Sequence, residues 1–163
     1  MTNNKLRIAA YTRVALDEEN KKEYNESIIK QRKIITDGCN RNFPNCTIDF
    51  YTDTNCSGMT FDGREEYSKL REKLFNKEYD MLVFTDISRF TRVCNEEVFE
   101  ELQEITKSGV RIISIGESLV YDTDAPDNWL RVMAYFYPKD VVGLHKIMKE
   151  GGFDAKKFNR RST

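Results

Sequence analysis

The chain of 163 residues is poor in the side chains from which metal centres and disulfide frameworks are built. It holds one histidine, His145, and four cysteines, Cys39, Cys46, Cys56 and Cys94, with no C-x-x-C pair among them. No zinc site of ordinary ligand spacing can be drawn from that set, so no metal is expected. Reduced thiols in a cytoplasmic protein are the simplest reading of the cysteines. The N-terminus lacks the apolar core of a signal peptide, and no apolar run approaches the length of a membrane span. Neither common Gly-rich phosphate loop occurs, so nothing supports a nucleotide cofactor and none is expected. Net charge is also lacking: 26 Lys and Arg against 27 Asp and Glu leave −1, which argues neither for nor against a nucleic-acid partner.

What is present fits one soluble globular domain with a real core: 39% hydrophobic and 12% aromatic residues in a chain of ordinary domain length. The charge is unevenly placed. Residues 139–163 carry seven Lys and Arg against three acids, net +4, which leaves net −5 over residues 1–138. A basic arm containing Lys156, Lys157, Arg160 and Arg161 on an acidic body is a footprint for a polyanion. A solvated, frayed tail explains the same residues equally well.

Apolar periodicity gives the order of elements. Residues 5–12 read as a buried strand, and residues 25–41 as a helix carrying Ile28, Ile29, Ile34 and Ile35, capped by Asn25 or Ser27. Residues 47–52 alternate as a second strand. A polar loop from Asp53 to Gly63 leads into a helix over 64–76 with Tyr67, Leu70, Leu74 and Phe75 on its apolar side. Met81–Phe84 is a strand covered on both faces. A helix over 95–108, through Val98, Phe99, Leu102 and Ile105, ends at Gly109, and residues 110–115 form a fourth strand. This alternation predicts an α/β domain of three layers, with a central, mostly parallel sheet flanked by helices. Beyond Pro126 the pattern is helical again, with a large stripe of Trp129, Leu130, Met133, Phe136 and Tyr137 that Pro138 should break. Such a stripe packs in a core or across a subunit interface.

Functional residues in such a fold gather beyond the carboxyl ends of the strands. Arg13 ends the first strand, Arg64 follows the loop after the second, and Arg89 and Arg92 follow the third. Each alone reads as a surface arginine in a salt bridge. Together, at three converging loop positions, they suit a phosphodiester under attack, whose non-bridging oxygens gain negative charge that planar guanidinium groups stabilise.

Several motifs in order then resemble the serine recombinases, the resolvase, invertase and large serine integrase family. Tyr11-Thr12-Arg13-Val14-Ala15 resembles the opening Tyr-x-Arg-Val-Ser, and Ser27-Ile28-Ile29-Lys30-Gln31 the Ser-x-x-x-Gln of the first helix. Asp53, Ser57-Gly58 and Arg64 resemble the Asp…Ser-Gly…Arg stretch, and Asp86-Ile87-Ser88-Arg89-Phe90-Thr91-Arg92 the Asp-x-Ser-Arg-x-x-Arg form of the large members. Gly109-Val110 leading to Ser114 and Glu117 is similar to the last strand, so that the likeness spans residues 6 to 124.

The resemblance implies site-specific recombination of double-stranded DNA. A serine at position 15 attacks the scissile phosphate, forms a 5′-phosphoserine link and frees a 3′-hydroxyl, and the ester keeps the energy for rejoining without a cofactor. It implies a homodimer that pairs into a tetramer in the synaptic complex. Arg13, Arg64, Arg89 and Arg92 would contact the phosphate, with Gln31, Asp53, Ser57, Asp86 and Ser88 in support. Ser88 stands where smaller members place an aspartate.

Three departures qualify that expectation. Position 15 is alanine, so the nucleophile is missing and the chain is expected to be inactive as written. Thr12, three residues earlier on a strand, points to the opposite face and offers no substitute. Pro138 and Val141-Val142-Gly143-Leu144 interrupt a region that is usually one long dimer-forming helix. The chain ends without a helix-turn-helix or zinc-bearing DNA-reading domain, so residues 1–124 are expected to be the catalytic domain and residues 125–163 a helical, basic segment, a truncated linker toward a missing DNA-reading domain. Ala15 is either an introduced Ser→Ala change or a natural loss. The alternative function is accordingly a non-catalytic relative that binds DNA or a recombinase partner and regulates it. A third reading is a phosphate-binding α/β enzyme that only resembles a recombinase.

Overall fold

The computed structural model describes residues 5–15, 21–93, 96–116 and 118–121. The expectations placed on the C-terminal stripe, on Pro138, on the basic arm Lys156, Lys157, Arg160 and Arg161, on the boundary at 124, and on Cys94, Glu117 and His145 lie outside the described residues.

Among the described residues nine elements follow one another: β1 (Arg7–Val14), α1 (Lys21–Asn42), β2 (Thr47–Thr54), α2 (Glu65–Phe75), β3 (Met81–Phe84), α3 (Ile87–Phe90), α4 (Glu96–Lys107), β4 (Arg111–Ser114) and β5 (Leu119–Tyr121). They build a five-stranded sheet in the order β2-β1-β3-β4-β5. The first four strands are parallel, and β5 runs antiparallel to β4 through Ile112↔Tyr121, Ile113↔Val120 and Ser114↔Leu119. The expected α/β architecture is therefore present, with α3 and β5 as additions.

Side-chain alternation along β1 and β3 divides the core into two layers. Ile8, Ala10, Met81 and Val83 pack with Ile35 and Cys39 of α1 on one face. Ala9, Tyr11, Leu82 and Phe84 pack with Tyr67, Leu70 and Leu74 of α2, Ile87 and Phe90 of α3, and Val98, Leu102 and Ile105 of α4 on the other. Every residue of β3 is buried, as its unbroken apolar run predicts. Full burial of each Leu or Ile in these layers stabilises the fold by roughly 1.5–3 kcal/mol.

Two local expectations are corrected. Helix α1 begins at Lys21, so Asn25 and Ser27 lie inside it and neither is its cap. Of its isoleucines, Ile35 is buried, but Ile29 is 66% and Ile34 37% exposed. The inward stripe is Ile28, Gln31, Ile35, Gly38 and Cys39, a helical spacing that includes a glutamine which a purely apolar reading passes over. At the other end, α4 stops as expected: Gly109 has φ of +94°, the left-handed turn that ends a helix and favours glycine.

The strand order sets the position of the site. From β1 the chain moves to β2 on one side, then crosses back to β3 on the other. The carboxyl ends of β1 and β3 flank this reversal, where doubly wound sheets open a crevice. Pairing of β1 with β3 covers only Ile8–Ala10 against Met81–Val83, whereas β1 continues beside β2 to Val14. Beyond Ala10 the two central strands part, and loops fill the gap.

Candidate active site

Arg13 occupies that gap. Its side chain is fully buried, and its guanidinium donates to three main-chain carbonyls: Nε to Arg89 at 3.0 Å, Nη1 to Cys56 at 2.8 Å and Nη2 to Ser88 at 2.8 Å. One side chain thus ties the loop after β2 to the segment after β3. Gln31 of α1 holds the Arg13 backbone from behind. Its Oε1 accepts the Arg13 N–H and its Nε2 donates to the Arg13 carbonyl, both at 3.4 Å, and Nε2 also donates to Ser27 Oγ at 3.3 Å. The amide supplies the partners that β3 no longer offers.

Arg64, the residue just before α2, repeats the pattern. It is 1% exposed, and it donates from Nη1 to the Phe90 carbonyl at 2.6 Å and from Nη2 to the Ser57 carbonyl at 3.2 Å. Its guanidinium lies 4.9 Å from the centroid of Phe61, which stacks in turn on Tyr67. Its Nε has no hydrogen-bond partner among the described residues.

Arg89 and Arg92 complete the set. Arg89 Nη1 donates to the Arg13 carbonyl at 3.2 Å, and its Nε lies 3.7 Å from Asp86 Oδ2, with 27% of the side chain exposed. Arg92 is exposed, and its guanidinium has no hydrogen bond or ion pair among the described residues. Its backbone N–H is anchored to the Gly58 carbonyl at 2.8 Å. Gly58 is required here by close approach: a Cβ at that position would sit 2.7 Å from Arg13 Nη2 and 2.7 Å from Arg92 Cγ. The four arginines are electrostatic neighbours. Burial first, and then the charges of Arg64, Arg92 and Arg89, together lower the Arg13 pKa to about 10. Arg13 is still fully protonated at neutral pH.

Asp86, before α3, accepts the Ser88 hydroxyl at Oδ1 and the Thr85 hydroxyl at Oδ2, the latter at 3.1 Å. Ser57 closes a tight turn, its Oγ accepting the Met59 N–H at 3.0 Å. Ala15 is exposed and follows β1 directly, and the carbonyl before it, that of Val14, accepts the Asn55 N–H at 3.0 Å.

Asp53 stands one step from the arginines. Arg64 at the start of α2 makes no side-chain cap, and Asp53 of β2 supplies one from outside the helix. Its Oδ1 accepts the Glu66 N–H and its Oδ2 the Tyr67 N–H, both at 2.9 Å, and Oδ2 also accepts the Tyr11 hydroxyl at 3.0 Å. Burial holds the Tyr11 phenol far above its ordinary pKa, so it remains a donor. Thr12 faces the other way: its Oγ1 is 2.7 Å from Thr52 Oγ1, which accepts from Arg32 of α1.

The structure therefore gathers Arg13, Arg64, Arg89, Arg92, Ser57, Asp86 and Ser88 at the β1/β3 crevice, at the end of the strand that leads to Ala15, with Gln31 and Asp53 flanking them. Sequence reasoning missed Tyr11 as a hydrogen-bond donor, Phe61 as the platform under Arg64, and the carbonyls of Cys56 and Phe90. Only Phe61 had a signal, an aromatic three residues before an arginine. Among the described residues no group of His, Cys, Asp and Glu could hold a metal ion, and no helix is long and apolar enough to cross a membrane.

The fold and sequence have known counterparts. The structure is similar to the N-terminal catalytic domain of TP901-1 integrase, with TM-score 0.63 and 22% identity over 90% of this chain and 99% of that one. It is similar to a resolvase family site-specific recombinase from Streptococcus pneumoniae, with TM-score 0.61 and 19% identity over 90% and 95%. A third likeness is to the C-terminal catalytic domain of ISC1926 TnpA, an IS607-like serine recombinase, with TM-score 0.54 and 18% identity over 88% and 99%. No curated protein gave a significant sequence match. The family described as Resolvase, N terminal domain, matches residues 8–137, most of the chain. The chain therefore belongs to the resolvase N-terminal domain family, the catalytic domain of the serine recombinases.

Proposed function

We propose that this chain is the catalytic domain of a site-specific serine recombinase, complete in its phosphate-handling groups and inactive as written because Ala15 stands at the nucleophile position. The observation that carries the reading is the convergence of Arg13, Arg64, Arg89 and Arg92 from three loops at the end of the strand that leads to Ala15. Such a cluster suits a pentacoordinate phosphorus, whose oxygens carry more charge than the ground-state diester. A hydroxyl at position 15 would attack phosphorus, lose its proton and displace the 3′-oxygen, which leaves as a 3′-hydroxyl. The resulting 5′-phosphoserine ester is reversed by the incoming 3′-hydroxyl of the partner strand. The substrate is double-stranded DNA, and the working assembly is a homodimer that pairs into a tetramer. The test is Ala15→Ser joined to a DNA-reading domain, on a site nicked so that religation is blocked. Covalent 5′ protein–DNA adducts support the reading, and their absence on the bound site contradicts it.

Ala15 itself favours a second reading: a natural non-catalytic relative that binds DNA or a recombinase partner and regulates it. An alanine codon in the source gene, together with mixed oligomers formed with an active recombinase, would favour this regulator.

A further inference from the structure

Cys56 is buried at the base of the loop after β2, yet it belongs to neither apolar layer of the core. A free cysteine more often serves as a small hydrophobe in such a layer. Here the thiol meets oxygen on two sides: Sγ donates to the Thr54 carbonyl at 3.2 Å and to the Gly63 carbonyl at 3.1 Å. One S–H is thus shared between the two ends of the loop that carries Ser57 and leads into Arg64. Burial first, and then the Asp53 charge, raise the Cys56 pKa above the ordinary thiol value, so the donor keeps its proton at neutral pH.

The residues before the thiol carry its influence to β1. Pairing of β1 with β2 runs to Val14↔Thr54, and the next amide, that of Asn55, donates to the Val14 carbonyl at 3.0 Å. Asn55 has φ of 58°, in the left-handed region that asparagine tolerates better than most side chains. Just past this turn, the Cys56 side chain reaches back to Thr54 and on to Gly63, while its own carbonyl accepts Arg13 Nη1 at 2.8 Å. Three consecutive residues, Thr54, Asn55 and Cys56, therefore join the end of β1 to the base and the far end of the loop.

We propose that Cys56 is a positioning residue, a clasp that closes the loop from Thr54 to Gly63 and, through the Asn55 N–H on the Val14 carbonyl, holds the end of β1 and the residue 15 that follows it in register with that loop. This role rests on the recombinase reading above, and Cys56 acts in it through the main chain.

The first readout uses the whole chain as it stands. Amide hydrogen exchange at Asn55 is followed by NMR as a ratio to exchange of the β3 amides, so that a general loss of stability does not raise it. In Cys56→Ala the ratio should rise about tenfold, as a local opening does. Cys56→Ser keeps a donor and should stay within about twofold of the parent. An unchanged ratio in Cys56→Ala, or a serine variant as open as the alanine one, overturns the clasp.

The second readout is the rate of covalent adduct formation by Ala15→Ser joined to a DNA-reading domain, on the nicked site at saturating protein. Adding Cys56→Ala should slow that rate about tenfold or more at unchanged DNA affinity, the mark of a misplaced attacking group. Cys56→Ser in its place should restore most of the rate. Adducts at full rate with Cys56→Ala, or a change confined to affinity, overturn the positioning role and leave the recombinase reading standing. No adduct from Ala15→Ser itself overturns that reading, and amide exchange then decides the clasp alone.

Discussion

The phenolic hydroxyl of Tyr11 on β1 donates to the carboxylate of Asp53 on β2 at 3.0 Å, and that carboxylate also receives the first free N–H groups of α2. The central strand, its neighbour and the helix that follows the Ser57–Arg64 loop are joined at one buried point. Tyr11→Phe removes a hydrogen bond to a charged acceptor and should destabilise the domain by about 1.5–3 kcal/mol. Asp53→Ala also removes the cap and strands the Tyr11 hydroxyl, for a loss of about 2–4 kcal/mol. Urea unfolding followed by circular dichroism measures both. Equal losses for the two variants would contradict the capping role.

Gly58→Ala places a methyl group against Arg13 and the Arg92 stem. Overpacking of this kind costs about 1–3 kcal/mol. Since Arg92 must swing aside, proteolysis within residues 55–63 should become faster than in the parent chain. An unchanged urea midpoint and an unchanged cleavage rate would show that the contact is loose.

Arg13→Ala leaves the carbonyls of Cys56, Ser88 and Arg89 without their guanidinium partner. The expected loss is at least about 3 kcal/mol, from roughly 1 kcal/mol or more for each unmet acceptor. Arg92→Ala, at an exposed side chain, should fall within about 0.5 kcal/mol of the parent. The two melting curves, run side by side, check the contrast between inner and outer arginines.

Burial pushes the Cys39 thiol pKa up to about 11 from 9.0. The folded state therefore holds the Cys39 proton more tightly than the unfolded chain. Its contribution to stability is complete below pH 9 and is lost as pH rises from there through about 11. In native protein at pH 8, iodoacetamide should label the half-exposed Cys46 well before Cys39. Early modification of Cys39, located by peptide mass, would contradict its burial between α1 and the sheet.

The alternation of strands and helices was legible because each element repeats its own apolar period, from the unbroken Met81–Phe84 to the Tyr67, Leu70, Leu74 stripe. Arginine placement was legible because the carboxyl ends of parallel strands are where loops converge. The four-residue α3 and three-residue β5 are too short to carry a period. Ile29 and Ile34 misled, because their spacing matches a helix but not the face set by Gln31 and Ile35. The cap on α2 comes from Asp53, more than ten residues before the helix, and a local cap rule does not reach that far. The partners of Arg13 and Arg64 are main-chain carbonyls, which every residue possesses and no motif marks.

The central claim is that the site around Ala15 lacks only a hydroxyl. Its most direct test is the chemical identity of the adduct made by Ala15→Ser, joined to a DNA-reading domain, on a nicked suicide site. After nuclease and trypsin digestion, the peptide Val14–Lys21 should carry a 5′-linked nucleotide on residue 15, and the Ala15 parent should give no adduct. An adduct on Ser57 or Ser88, an adduct from the Ala15 parent, or none from a folded, DNA-bound Ala15→Ser protein would contradict the account.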